Sequence, residues 1–89
     1  MSVDFITNVQ FKQEDKALQF RCYTEGDEIK VKLLHVQTEG NSVAVVKIPK
    51  EGEQGYNMPI LELASLVLQK SIPAILEKQE AAVKKYLKE

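Results

Sequence analysis

The chain is poor in the residues that most catalytic and cross-linked folds rely on. Of its 89 residues one is cysteine, one is histidine and none is tryptophan. A lone cysteine, Cys22, cannot close an internal disulfide, so the chain falls outside the cross-linked secreted class and suits a reducing compartment. The lone imidazole, His35, has no Cys, His or carboxylate cluster at ligand spacing beside it, which leaves no metal set to assemble. Residues 1–20 lack a basic start followed by an unbroken apolar stretch, so no secretory signal is visible and the cytoplasm is the expected location. The longest apolar-rich stretch, 58–68, is interrupted by Glu62 and Ser65 and falls short of the roughly 20 residues a membrane span needs. A core helix is expected there, and no membrane partner.

A predominant charge sign is also missing. The net charge is −1, and the halves are balanced, with six basic and seven acidic side chains in 1–48 and six of each in 49–89. Neither half is a polyanion that mimics DNA or a basic domain that grips duplex phosphates. Any contact with nucleic acid has to come from a local patch.

What is present suffices for one fold. A hydrophobic content of 44% with 28% charged residues argues against disorder. At this length two cores would each be too small to offset chain entropy, so 1–89 is expected to be a single domain. Val3, Phe5, Thr7, Val9 and Phe11 alternate with Asp4, Ile6, Asn8, Gln10 and Lys12, the period of two that buries one face of a strand within 3–12. Five polar residues, 12–16, then read as a turn. Leu18, Phe20 and Cys22 opposite Gln19, Arg21 and Tyr23 make a second strand that pairs with the first. Thr24-Glu25-Gly26-Asp27 and Thr38-Glu39-Gly40-Asn41 share a pattern in which glycine supplies the positive φ of a three- or four-residue hairpin loop. Between them Ile29, Val31 and Leu33 alternate with Glu28, Lys30 and Lys32. Leu34 and Val36 then appear in the opposite phase, which a bulge near Leu33-Leu34 would explain. Residues 42–48 are apolar on both faces, as in a central strand or one covered by a partner, and Pro49 ends them.

Residues 49–57, with Gly52 and Gly55 among charges, read as a mobile loop. Beyond it the period becomes 3.6. Asn57-Met58-Pro59-Ile60 and Ser71-Ile72-Pro73-Ala74 both have the form of an N-cap followed by an early proline, so the helical part, 58–89, is one helix kinked at Pro73 or two helices. The first, 60–68, has almost no polar face and should be buried on more than one side. The second carries one stripe of Ile72, Ile75, Leu76, Val83, Tyr86 and Leu87. The expected fold is α+β: a four-stranded antiparallel meander (1–48) followed by one kinked or two consecutive helices packed on one sheet face.

Enzymatic chemistry has little to build on. Cys22 shares the face of Leu18 and Phe20, where cysteine behaves as a small buried hydrophobe, and pairing it with His35 demands a proximity that spacing does not supply. Glu14-Asp15 and Asp27-Glu28 lie at turns, where carboxylates are solvated or satisfy backbone donors. Lys50-Glu51-Gly52-Glu53-Gln54-Gly55 lacks the ending of a phosphate loop. The chain is therefore expected to be no enzyme and to need no cofactor or metal.

Two binding surfaces are expected instead. On the sheet face opposite the helices Arg21 and Tyr23 should lie beside Lys30 and Lys32, a basic and aromatic group of the kind that holds single-stranded nucleic acid. Loops on a rigid scaffold often carry binding residues, which singles out Lys50 and Tyr56. The surplus of apolar surface in so short a chain points to another protein as partner and to a homodimer, with Leu66 and Leu76 as the seam residues. The expected function is a small regulator or accessory factor of bacterial or phage type acting by protein–protein contact; the alternative is a single-strand-binding module.

Overall fold

The two alternations resolve into β1 (Asp4–Gln10), β2 (Ala17–Glu25), β3 (Glu28–Leu34) and β4 (Val43–Lys47), followed by α1 (Ile60–Lys78) and α2 (Glu80–Lys88). They are taken from a computed structural model, which describes residues 2–10, 16–38, 40 and 42–88; the expected turn at 12–16, apart from Lys16, and positions 39 and 41 of the expected turn at 38–41 lie outside these. The strands form one antiparallel sheet in the order β1-β2-β3-β4, with both helices on one face, the α+β meander the periodicities predict.

Register decides which side chains meet. Opposite residues in an antiparallel pair point to the same face, so Phe5 with Cys22, Thr7 with Phe20 and Val9 with Leu18 share the inner face. Cys22 with Val31, Phe20 with Leu33, Ile29 with Val46 and Val31 with Ala44 continue it. Leu18, Phe20, Cys22, Ile29 and Val31 have no solvent exposure, and Ala64, Val67, Ile75 and Val83 join them from the helices in one core. Burying each of the larger of these side chains contributes about 1.5–3 kcal/mol. On α1 the buried residues Ala64, Val67, Ser71 and Ile75 follow helical spacing and form a single stripe. Alanine at 64 lets the helix backbone come close enough for the Cys22 thiol to donate to the Ala64 carbonyl at 3.7 Å.

Four local expectations need correction. The chain makes no bulge at Leu33-Leu34: β3 stays in continuous register with β2 up to Leu34, and the phase changes because His35, just beyond, adopts φ 65°, a left-handed conformation that histidine tolerates better than most residues. The β2–β3 loop is tighter than expected, because Glu25 pairs with Glu28 and only Gly26 and Asp27 turn the chain, with glycine first at φ 61°, the arrangement two-residue hairpins favour. Segment 49–57 is a succession of bonded turns, with Glu53 N–H to Lys50 O at 2.9 Å, Tyr56 N–H to Glu53 O at 3.2 Å and Met58 N–H to Gly55 O at 3.0 Å. Neither Asn57 nor Ser71 caps a helix: α1 starts after Pro59 with no side-chain cap, and Ser71 is buried inside it.

The helical break is displaced as well. Pro73 lies within α1, and the helix ends at Gln79, whose N–H still bonds Ile75 O at 2.9 Å while its carbonyl already accepts from Val83 N–H at 2.9 Å. Proline forfeits one backbone bond and crowds the carbonyl four residues back; Gln69, which owns that carbonyl, and Pro73 are both exposed, so water reaches this side of the helix. Helix α1 is also buried on one side only, since Leu61 is 58% and Leu66 41% exposed. Helix α2 is anchored at the start of β2, where Lys16 Nζ donates to Tyr86 O at 3.1 Å and lies 4.7 Å from the Tyr86 ring centre.

Candidate interaction surfaces

The outer sheet face brings together the residues singled out for it. Register sets Tyr23 beside Lys30 and Arg21 beside Lys32, so Arg21, Tyr23, Lys30 and Lys32 form one group. Its charge is largely satisfied within the chain. Asp4 faces the same way from β1, opposite Tyr23, and takes Arg21 Nε at 2.9 Å and Nη2 at 2.6 Å, a two-pronged carboxylate pairing. The guanidinium carbon lies 4.2 Å from the Tyr23 ring centre, within cation–π range. Hydrogen bonding to Arg21 holds the Asp4 carboxyl below its ordinary range. Lys30 Nζ donates to Glu25 Oε1 at 3.0 Å, a contact that raises the Lys30 pKa. Lys32 has no carboxylate at ion-pair distance among the described residues. Sequence reasoning missed the neutralising role of Asp4 and Glu25, although their parity along the strands already puts them on the outer face.

The remaining singled-out residues are dispersed. Lys50 and Tyr56 lie in the turn segment, where the Lys50 N–H bonds Glu53 Oε1 at 3.1 Å and Tyr56 is half exposed; no hydrogen bond or ion pair joins either to the Arg21 group among the described residues. Leu66 projects outward from α1, whereas Leu76 is half-buried against the core of its own chain. Cys22 lies mid-sheet opposite Val31, and His35 lies four residues beyond Val31, roughly 13 Å further along at strand rise. That span rules out a direct thiol–imidazole pair. His35 instead borders an open groove of about 850 Å³ with Gln37, Lys78, Gln79, Lys85 and Tyr86. No cluster of three or more His, Cys, Asp or Glu side chains suited to a metal occurs among the described residues, and no helix is long and apolar enough to cross a membrane.

Burial pushes the Cys22 thiol pKa up. Because only thiolate reacts readily, a neutral-pH alkylating agent should leave Cys22 unmodified in the folded protein and modify it fully in denaturant, as read by mass spectrometry. Modification at the unfolded rate without denaturant would show that β2 and α1 do not enclose it. The folded pKa exceeds the unfolded one, so this group favours the unfolded chain once pH rises past the unfolded thiol value near 8.5, and stability falls from there.

The larger unexplained feature is apolar. Ile6 at 57%, Val45 at 47%, Val46 at 43% and Tyr56 at 50% exposure accompany the two α1 leucines. Val45 and Val46 point to opposite faces of β4, which among the described residues has a strand neighbour, β3, on one side only. No protein family, no curated protein and no solved structure matches the chain.

Proposed function

We propose that this chain is a non-catalytic interaction protein, a small regulator or accessory factor of the cytoplasm that works as a homodimer and acts by contact with other proteins. One observation carries the reading: the chain exposes too much surface for its mass. Its accessible surface is 6364 Å², whereas a compact monomer of 10.1 kDa exposes about 5,300 Å². Its radius of gyration is 14.1 Å, against about 12 Å for a compact domain of this length. The excess, roughly 1,100 Å², is of the size that one partner contributes to a standard interface, about 800 Å². The exposed valines and leucines give that surface apolar character.

The outer sheet face supports single-stranded nucleic acid less well. Two of its cations are occupied by Asp4 and Glu25, and Tyr23, the one aromatic of the group, already stacks with Arg21. Phosphates would have to displace carboxylates held at hydrogen-bond distance.

Light scattering after size exclusion tests the proposal directly. A mass twice 10.1 kDa at micromolar chain is expected. A mass of one chain at every concentration would overturn the homodimer.

A further inference from the structure

We infer that the groove between the chain leaving β3 and the α1–α2 junction is a binding site for a small organic phosphate, with Lys78 and Lys85 holding the phosphate group and His35 on the facing wall. The inference goes beyond the protein-contact reading and does not depend on whether the chain works as one copy or two.

The first support is the placement of charge. Lys78 and Lys85 are seven residues apart, so they lie on the same side of the helical segment, about 10 Å apart along it at helical rise, and both line the groove. Among the described lining residues there is no carboxylate, although acidic residues outnumber basic ones in the chain, 13 to 12. Glu77 and Glu80, on either side of Lys78 and Gln79, are not part of the lining, and Glu80 is held by Lys84 Nζ at 2.7 Å. Lys78 and Lys85 themselves have no carboxylate at ion-pair distance among the described residues. A third ammonium, Lys16 Nζ, lies 4.7 Å from the ring centre of Tyr86, which also lines the groove. Lysine is a compact point charge with rotatable donors, a form of cation that suits phosphate.

The second support is the facing wall. Among the described residues His35 alone, glycines aside, has a positive φ, at 65°, and residues held in such sparsely populated conformations cluster at ligand sites. The chain leaves β3 there, and Gln37 and Thr38 line the groove together with His35. Imidazole, carboxamide and hydroxyl groups all donate hydrogen bonds, so this wall offers phosphate oxygens neutral donors opposite the ammonium groups of the helices.

Third, the size of the groove calls for more than a bare ion. Its volume of about 850 Å³ falls in the range of small-molecule sites, about 300–1,000 Å³. Ala81 and Ala82, between the two lysines in sequence, contribute only methyl groups to the lining, which leaves the space between the cations open. With the Tyr86 ring they form an apolar surface of the kind that receives a ligand's carbon skeleton, while a few polar groups fix its orientation. The ligand that fits both parts is an organic molecule carrying a phosphate.

Titration of the isotope-labelled protein with ribose phosphate, followed by NMR, tests the site. His35 is the only histidine, so its ring signals report on this groove without ambiguity. Saturable shifts are expected in that ring and in the amides of Gln37, Thr38 and residues 78–86, and none with ribose alone. Replacing both exposed lysines, Lys78→Gln with Lys85→Gln, should weaken binding roughly tenfold or more, the loss of one charge-assisted hydrogen bond at least, while amide signals from the four strands keep their positions. Lys32→Gln on the outer sheet face should leave the affinity unchanged. The absence of saturable shifts, shifts confined to the outer sheet face, or undiminished binding by the double variant would each overturn the site. The mass found by light scattering decides the homodimer separately.

Discussion

Phe20→Ala is expected to cost about 3–5 kcal/mol of unfolding free energy, the range for deleting a fully buried aromatic side chain. Phe20 is the largest side chain with no exposure and lies mid-sheet between Thr7 on β1 and Leu33 on β3, beneath the helices. Truncation therefore leaves a cavity bounded by three strands that a meander cannot close by moving one of them. A domain of this size has a total stability of only about 5–15 kcal/mol, so the variant stands near the threshold of folding. Denaturant titration at fixed chain concentration measures it, since dimerisation would otherwise add a concentration-dependent contribution. Ile6→Ala is the paired control. Ile6 lies on β1 between Phe5 and Thr7 but faces outward and is 57% exposed, so its change should stay within about 0.5 kcal/mol. Equal losses at both positions would contradict the assignment of faces.

Pro73→Ala should move stability in the other direction. In a helix interior proline is about 3 kcal/mol less favourable than alanine. Part of that cost is recovered at this site because proline also narrows the unfolded chain, an effect of about 0.4–1 kcal/mol. Position 73 is on the exposed side of α1, so alanine adds a backbone hydrogen bond without disturbing the buried stripe. A net gain of about 2–2.6 kcal/mol is expected, visible as a higher denaturant midpoint. A loss would mean that a bend at Pro73 is needed for Val67 and Ile75, six residues before it and two after, to reach the sheet together.

These two residues show how far a linear reading goes. Phe20 is assignable to the core from Leu18, Phe20 and Cys22 alone, because side-chain direction in a strand is a property of neighbouring residues and needs no knowledge of the partner. For the same reason the face shared by Arg21, Tyr23, Lys30 and Lys32 is legible. Pro73 is a different case. Local preference favours a break there, yet Val67, Ser71 and Ile75 are all buried on one side of the unbroken helix, and tertiary packing outweighs propensity over a few residues. The partners of the outer-face cations were similarly hidden, since Asp4 reaches Arg21 across 17 positions of sequence.

Alternation and the change of period thus determined, without coordinates, the four strands, the helical second part, the α+β class and the inner and outer faces. Only the tertiary structure decided that β4 is an edge, that Asp4 and Glu25 occupy the basic group, that Cys22 and His35 lie far apart, and that the helix breaks at Gln79. The division has a physical cause. Which face a side chain takes follows from backbone geometry over two to four residues, whereas which strand has a neighbour, and which charge meets which, follows from register and packing between segments distant in the chain.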